Sequence, residues 1–185
     1  MKSIKYLRDY ILENYVDENG DLDISGLDFS DFDGDVFISG MKVKGDLFQK
    51  EQEVQGTLYQ GYHEVQGDLY QDEQSVQGRL SQCGHEVQGD LYQGGHEVQG
   101  NLYQNSHEVK GSLLQGYHEV QGDLLQSFQE VQGNLSQSFQ EVQGDYYCSN
   151  IQVKGKIFAN EPTKLLKEIT TEQLAKMGYK LKGGN

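Results

Sequence analysis

Apolar and polar positions repeat every eleven residues over most of this chain. Valine recurs at that interval from Val43 to Val153 without an insertion, glycine follows each valine by two places, and a large apolar residue follows the glycine by two more. A degenerate copy at 32–36 precedes them, so twelve units span residues 32–160. The consensus unit is Val-Gln-Gly-Asp-Leu-Tyr-Gln followed by four variable residues, often Gly-Tyr-His-Glu. A short, fixed period is typical of proteins that stack one unit on the next.

The first seven positions of the unit alternate between two faces, which predicts a β-strand. Val, Gly, Leu and the seventh-position Gln share one face, whereas Gln, Asp and Tyr share the other. The four variable residues are small or polar, so we predict a turn there. An eleven-residue helical repeat is disfavoured, because the glycine in every unit would cost a helix about 1 kcal/mol.

Near-identical strands at a fixed period predict an all-β fold, a β-solenoid in which equivalent units stack about 4.8 Å apart. We expect two units in each coil, hence six coils and a flattened rod about 29 Å long. Three units per coil would give a triangular rod instead, and an antiparallel meander would leave the Val/Leu face without a partner. We expect valine and leucine to fill the interior and the seventh-position glutamines to form amide ladders at a corner. The glycine is expected to let opposing sheets approach or the strand bend.

The segments 1–31 and 161–185 depart from the repeat. We expect them to cap the ends of the rod, whose open strand edges would otherwise invite aggregation. Residues 3–15 have an apolar stripe at helical spacing and precede a poorly matching lead-in strand. Short helices are predicted at 163–169 and 170–177. Capped ends favour a monomer or a small homo-oligomer over an open polymer.

Composition and charge exclude several classes of protein. The 185 residues have a net charge of -14, a pI near 4.6 and a mean hydropathy of -0.72. Acidity of this size disfavours direct binding to nucleic acid or to an anionic membrane. No apolar run approaches the roughly 20 residues of a membrane span, and no signal peptide is visible. Two cysteines do not make a disulfide scaffold, and we expect a cytoplasmic protein.

The charge is concentrated in the repeat region, where residues 17–152 hold 24 acidic and 5 basic side chains. Outward positions there combine regularly spaced carboxylates with a stripe of aromatic rings. We predict a protein-binding face for a partner with a basic groove, since tyrosine anchors interfaces and repeated carboxylates complement such grooves. The alternative is a solvated acidic surface on which tyrosines brace the pleat. The candidate partner-binding residues are Asp46, Asp68, Asp90, Asp123, Asp145, Tyr59, Tyr70, Tyr92 and Tyr103.

All five histidines occupy one position among the variable residues: His63, His85, His96, His107 and His118. We expect a polar turn residue there, because other units have glutamine at the same place. With two units per coil, His85 would stack near His107, and His96 near His118. Whether such a row binds a metal or titrates near neutral pH beside the glutamates that follow stays open.

No catalytic, metal or cofactor site is predicted. The acidic loop at 17–23 lacks the glycine and glutamate spacing of a calcium-binding loop. Cys83 and Cys148 have no companion histidine constellation, and we expect them at variable turn or corner positions. The chain is therefore expected not to be an enzyme.

The repeat, together with the N-terminal helix, resembles uncharacterised repeat proteins predicted in bacterial and phage genomes, over about residues 20–160. In architecture and charge alone, the chain is similar to acidic pentapeptide-repeat β-helices that imitate DNA, although the pentapeptide motif is absent. This implies a non-enzymatic inhibitor of a basic nucleic-acid-handling protein, of the phage anti-defence or anti-CRISPR type, in a bacterial host cell. The chain is also similar to bactofilin-type solenoids, which polymerise and lack such caps. The alternative function is therefore a self-assembling structural scaffold.

Overall fold

The computed structural model describes residues 11–26, 28–29, 31, 34–159 and 164–165. Within these ranges the chain is a parallel β-solenoid of about six coils, built from two sheets that face each other across a filled interior. Residues 11–15 are helical. Among the residues described, no helix has the length and apolar character needed to cross a membrane.

Alternate eleven-residue units belong to opposite sheets. Sheet I contains β1 (Leu22–Asp23), β2 (Asp28–Phe29), β5 (Leu47–Phe48), β6 (Glu53–Val54), β9 (Leu69–Asp72), β10 (Ser75–Val76), β13 (Leu91–Gly94), β14 (Glu97–Val98), β17 (Leu113–Val120), β19 (Leu135–Val142), β21 (Ile157–Ala159) and β22 (Lys164–Leu165). Sheet II contains β3 (Val36–Phe37), β4 (Lys42–Val43), β7 (Leu58–Tyr59), β8 (Glu64–Val65), β11 (Leu80–Ser81), β12 (Glu86–Val87), β15 (Leu102–Asn105), β16 (Glu108–Val109), β18 (Leu124–Val131) and β20 (Tyr146–Val153).

The register of the sheets gives the number of units in a coil. Leu58 pairs with Leu80 in parallel, and the same offset of 22 residues recurs from strand to strand. The expectation of two units per coil is therefore confirmed, and both the triangular rod and the antiparallel meander are wrong. The first coil is longer, because Leu22 pairs with Leu47, 25 residues further on.

The turn lies elsewhere in the unit than the sequence predicts. Each face of the rod extends from a leucine to the next valine, as in Leu113–Val120, and the chain turns at Gln-Gly-Asp between faces. The variable residues, predicted to form the turn, lie in the middle of a face. The backbone there is left-handed, with φ of 54° at Glu73, so Asp72 and Glu73 both point outwards. This left-handed residue shifts the alternation of inward and outward side chains by one position. A strict period of two therefore places the corner at the wrong residues.

The repeat glycine is required where successive coils meet at a corner. A Cβ atom added to Gly67 would lie 2.7 Å from the carbonyl oxygen of Gly45, closer than real Cβ atoms approach. The amide of Gly67 also donates a hydrogen bond to that oxygen at 3.0 Å. The glycine therefore permits the approach of neighbouring coils, and the expected approach of opposing sheets is not its cause.

The interior is apolar at its two edges and polar along its middle. Columns of leucine and valine are almost fully buried, as are the glutamine and histidine side chains between them. Nε2 of Gln93 donates to Oε1 of Gln71 at 3.1 Å, and Nε2 of Gln115 donates to Oε1 of Gln93 at 2.9 Å. The predicted amide ladders are confirmed, although they lie within the faces instead of at a corner.

The two ends are described only in part. The predicted N-terminal helix is confirmed over residues 11–15, where Ile11 packs into the core, and its residues before 11 lie outside the described part. At the other end, residues 164–165 form β22, which pairs with β19, so the helix predicted at 163–169 is wrong at these two residues. The helix predicted at 170–177 lies outside the described residues.

Candidate functional site

The structure does not bring the nine predicted binding residues onto one surface. Because alternate units lie on opposite sheets, the expected single stripe of carboxylates and aromatic rings becomes two stripes. On the sheet I side lie Asp46, Asp68, Asp90, Tyr70 and Tyr92; on the sheet II side lie Asp123, Asp145, Tyr59 and Tyr103.

The corner aspartates hold successive coils together. Oδ1 of Asp46 accepts a hydrogen bond from the amide of Asp68 at 2.8 Å, and Oδ1 of Asp123 accepts one from the amide of Asp145 at 2.9 Å. Asn101 makes the same contact, accepting from the amide of Asp123 at 2.9 Å. One carboxylate oxygen therefore serves the fold, and the second oxygen is directed to the surface.

Tyrosines on sheet I lie against the strands and bond to these second oxygens. The rings of Tyr70 and Tyr92 stack with centroids 4.7 Å apart. The hydroxyl of Tyr70 donates to Oδ2 of Asp68 at 3.1 Å, and that of Tyr92 to Oδ2 of Asp90 at 3.2 Å. Burial, and then the bonded Asp68, raise the pKa of Tyr70 to about 12. These tyrosines brace the surface and remain half-exposed at their rings.

The equivalent aromatic residues on sheet II are associated with a cation. The guanidinium carbon of Arg79 lies 5.1 Å from the ring centroid of Tyr59 and 5.5 Å from that of Tyr103. Its Nη2 also donates a hydrogen bond to the hydroxyl of Tyr59. Lys50 makes a similar contact on sheet I, where its Nζ lies 4.6 Å from the ring centroid of Tyr70, so the aromatic stripes of both sheets are in contact with a positive charge of the same chain.

Charge is distributed unequally between the two faces. Among the side chains that the structure describes, sheet I and its leading corners bear twelve acidic and two basic groups: Asp21, Asp23, Asp46, Glu51, Glu53, Asp68, Asp72, Glu73, Asp90, Glu97, Glu119 and Glu141, with Lys50 and Lys156. Sheet II with its corners bears eight acidic and five basic groups, and the corner lysines that directly follow its valines are counted here because Lys44 lines the sheet II groove: Asp31, Asp35, Glu64, Glu86, Glu108, Asp123, Glu130 and Asp145, with Lys42, Lys44, Arg79, Lys110 and Lys154. We call the sheet I surface the acidic face and the sheet II surface the mixed face.

A groove parallel to the rod axis crosses the acidic face. It has a volume of about 300 Å³, a floor of valines, and walls formed by a glutamate column and a glutamine column. Glu97, Glu119 and Glu141 are in register on successive strands and are exposed. Their carboxylates therefore recur about every 4.8 Å. These glutamates are not among the predicted binding residues, although their fixed position before each valine was the available signal.

The matching groove on the mixed face contains lysines. It is lined by Lys42 and Lys44 as well as by Glu64 and Glu86. Lys42 lies 2.7 Å from Glu64, and Lys110 forms an ion pair with Glu108. Among the described side chains, no ion pair is found at Glu97 or Glu119, and the strand position next to Glu141 is occupied by Lys164 of β22. The two grooves are therefore lined by the same positions of the repeat but differ in charge.

The histidines are buried inside the rod, so the prediction of a turn position is wrong. The two expected stacks are confirmed, with ring centroids 5.0 Å apart for His85 and His107 and 4.9 Å for His96 and His118. Cys148 is also buried in a strand, contrary to its expected turn or corner position. In the described part of the chain, no group of three or more metal-ligating side chains is assembled.

Comparisons with protein-family models, with curated proteins and with solved structures found no match to this chain. The class of protein that the fold defines is a β-solenoid with one acidic face.

Proposed function

We propose that this protein is a non-enzymatic binding protein whose acidic face occupies the nucleic-acid site of a basic protein. The observation that supports this most directly is the density of charge. The described side chains give the acidic face ten net negative charges along a rod of about six coils, which is about one charge per 3 Å. Phosphates along one DNA strand are spaced about 3.4 Å apart. The carboxylates lie in parallel columns across the face, so the face is similar to a DNA strand in its charge per unit length, and a basic site for phosphates would meet a comparable negative charge.

The fold holds these carboxylates in place before a partner arrives. Each coil is hydrogen-bonded to the next through its backbone and through corner contacts such as that of Asp68 with Asp46. A partner therefore does not have to order a flexible acidic chain, and the entropy cost of association is lower. Rigid spacing also distinguishes this surface from a solvated acidic tail.

The acidic groove matches a basic helix in particular. Residues three or four apart on an α-helix recur about every 4.5–6 Å along its axis. Carboxylates spaced about 4.8 Å apart at Glu97, Glu119 and Glu141 can therefore meet successive arginines or lysines of a helix laid along the rod. Arginine would form two hydrogen bonds with each carboxylate. Nucleic-acid-handling proteins present such helices to phosphates.

The resemblance in architecture to DNA-imitating β-helices favours a phage anti-defence role in the bacterial cytoplasm. The alternative is a self-assembling scaffold, which a different observation supports. At the C-terminal end of the described coils, Ile157 occupies the position of a core leucine but is 58% exposed, and Phe158 is 54% exposed. Under that alternative, copies would associate end to end through this edge.

Affinity capture with charge-reversed variants tests the proposal. The full chain would be used as bait in a bacterial lysate at low salt and at about 0.5 M salt, where the screening length falls to a few ångströms. We expect a nucleic-acid-binding protein to be retained at low salt and released at high salt. Recovery of the bait alone, in large assemblies, would favour the scaffold.

The structure provides a matched pair of variants for this capture. The first reverses Glu97, Glu119 and Glu141 to lysine on the acidic face, and the second reverses Glu86, Glu108 and Glu130 on the mixed face. Both sets are exposed and occupy one repeat position, where Lys42 occurs naturally. We expect the first variant to lose the partner and the second to keep it. Equal retention by both variants would exclude a binding role for the acidic face.

A further inference from the structure

The interior contains two columns of stacked imidazole rings that the acidic face does not use. His63, His85 and His107 form one column in sheet II, with successive ring centroids 5.0 Å apart. His96 and His118 form the other in sheet I. All five side chains are at most 1% exposed. They lie in the middle coils, so a change of charge in either column acts on the centre of the fold.

The side chains that face the columns from the opposite sheet are neutral. Gln74, in the column of His96, accepts a hydrogen bond from Gln82 of sheet II at 3.0 Å. Gln129, in the column of His107, donates one to Gln115 of sheet I at 3.2 Å. Amide ladders are therefore the groups opposite both columns.

Carboxylates do not reach the columns from their own strands either. The glutamates that follow the histidines are exposed on the outer surface: Glu64, Glu86, Glu97, Glu108 and Glu119. Cys148, which pairs with Gln126 in a glutamine ladder, is the other buried titratable group among the described side chains. No buried aspartate or glutamate occurs in that part of the chain. A protonated imidazole would therefore have no counter-charge.

In two of the five histidines, a backbone donor occupies the nitrogen atom that a second proton would need. The amide of Met41 donates a hydrogen bond to Nδ1 of His63 at 3.1 Å, and the amide of His63 donates to Nδ1 of His85 at 3.4 Å. A proton on either Nδ1 would place two N–H donors, the imidazole and the backbone amide, against each other. Burial lowers the pKa of His63, His107 and His118 to about 3. Burial, and then the neighbouring imidazoles of each stack, hold the pKa of His85 and His96 well below the ordinary value.

We propose that the two histidine columns make this solenoid a fold that opens in mild acid. Protons bind the imidazoles only when the middle coils open, because the rings are buried without a counter-charge in the closed coils. The pKa of histidine is about 6.5 in the open chain and lower in the closed coils, so stability is complete above that pH. Stability is then lost progressively as the pH falls from about 6.5 towards 3, because the open chain binds more protons. This property is independent of any partner of the acidic face.

The expected effect is steep because five groups act together. Each histidine changes the unfolding equilibrium constant by up to tenfold per pH unit, so together they change it by about 10⁵-fold per unit. Urea unfolding of the full chain between pH 7.5 and 5 measures this directly. We expect the logarithm of the unfolding constant, plotted against pH, to approach a slope of about -5 below pH 6.

Glutamine variants separate the histidines from all other titrating groups. Glutamine occupies the same column position at Gln74, Gln129 and Gln140, so His→Gln changes keep the local packing. Relative to the wild type, the slope should be less steep by about 2 in the double variant H96Q/H118Q, by about 3 in the triple variant H63Q/H85Q/H107Q and by about 5 in the fivefold variant. Surface carboxylates contribute equally to every variant. A fivefold variant that loses stability as steeply as the wild type would overturn the proposal.

A second measurement needs no variant and applies even if the fivefold variant does not fold. NMR shifts of the imidazole Cε1–H groups report protonation in the folded wild-type chain. We expect these shifts to stay constant from pH 7.5 to the onset of unfolding. Titration of the folded protein with midpoints near the ordinary value of about 6.5 would overturn the proposal.

Discussion

The amide nitrogen of Asp90 donates a hydrogen bond to Oδ1 of Asp68 on the preceding coil at 2.8 Å. Asn101 makes the equivalent bond to the amide of Asp123 with a neutral amide oxygen. The corner therefore requires an acceptor at this position and does not require a charge. At the aspartates of the acidic face, a change to asparagine can consequently remove the charge while it keeps the hydrogen bond that holds the corner.

The first prediction concerns this corner acceptor. Asp68→Ala leaves the amide of Asp90 without its partner, and we expect a loss of about 1–3 kcal/mol in the free energy of unfolding. Asp68→Asn keeps the acceptor and should remain close to the wild type. Urea denaturation at pH 7.5 measures both variants. An asparagine variant as unstable as the alanine variant would show that the charge itself supports the corner.

The corner glycine gives a second prediction. A Cβ atom at Gly89 would lie 2.7 Å from the carbonyl oxygen of Gly67, so Gly89→Ala must push neighbouring coils apart. We expect a destabilisation of about 1–3 kcal/mol, the usual cost of overpacking. The control is Gly94→Ser, because an added Cβ there would lie 3.1 Å from the carbonyl oxygen of Gly116, a milder contact than at Gly89, and the in-register residue Asp72 has a side chain. Similar losses from both changes in a thermal melt would contradict the close-contact explanation.

Ionisation of the bonded tyrosines gives a third prediction. Burial, followed by the bonded carboxylate of Asp68, raises the pKa of Tyr70 to about 12, above the ordinary value of 10.0. The phenol therefore stabilises the fold fully below pH 10, and this contribution is lost as the pH rises towards 12. Ultraviolet absorbance of the phenolate, compared between the wild type and Tyr70→Phe, isolates this titration. In the Asp68→Asn background the midpoint should fall, and an unchanged midpoint would exclude a contribution from Asp68.

The sequence predicts much of the fold because an array repeats each local preference many times. The interval between valines gives the offset of 22 residues that pairs Leu58 with Leu80, and parity places Leu91 and Gln93 inside. The corner was misplaced because the left-handed residue at the middle of each face resets parity. Gly84 and Gly95, at the same position with φ of 73° and 66°, were the available signal of that conformation.

The candidate site was predicted less well, because it depends on which units share a sheet. Tyr59 and Tyr70 are neighbours in the repeat, yet they lie on opposite faces of the rod. The imbalance of charge between the faces arises because alternate units lie on opposite sheets. Counting charges along the sequence does not show it. The sequence did not predict the burial of His96, because its side chain points inwards only after the left-handed backbone of Gly95 shifts the alternation.

The most direct test of the account is competition between the full chain and duplex DNA for the captured basic protein. Fluorescence anisotropy of labelled DNA would be followed as wild-type chain or either charge-reversed variant is added. We predict that the wild type and the mixed-face variant (E86K/E108K/E130K) displace DNA, with an affinity that weakens steeply as salt is raised. The acidic-face variant (E97K/E119K/E141K) should fail to displace it. A stable ternary complex of DNA, partner and wild-type chain would contradict the proposal that the acidic face occupies the nucleic-acid site.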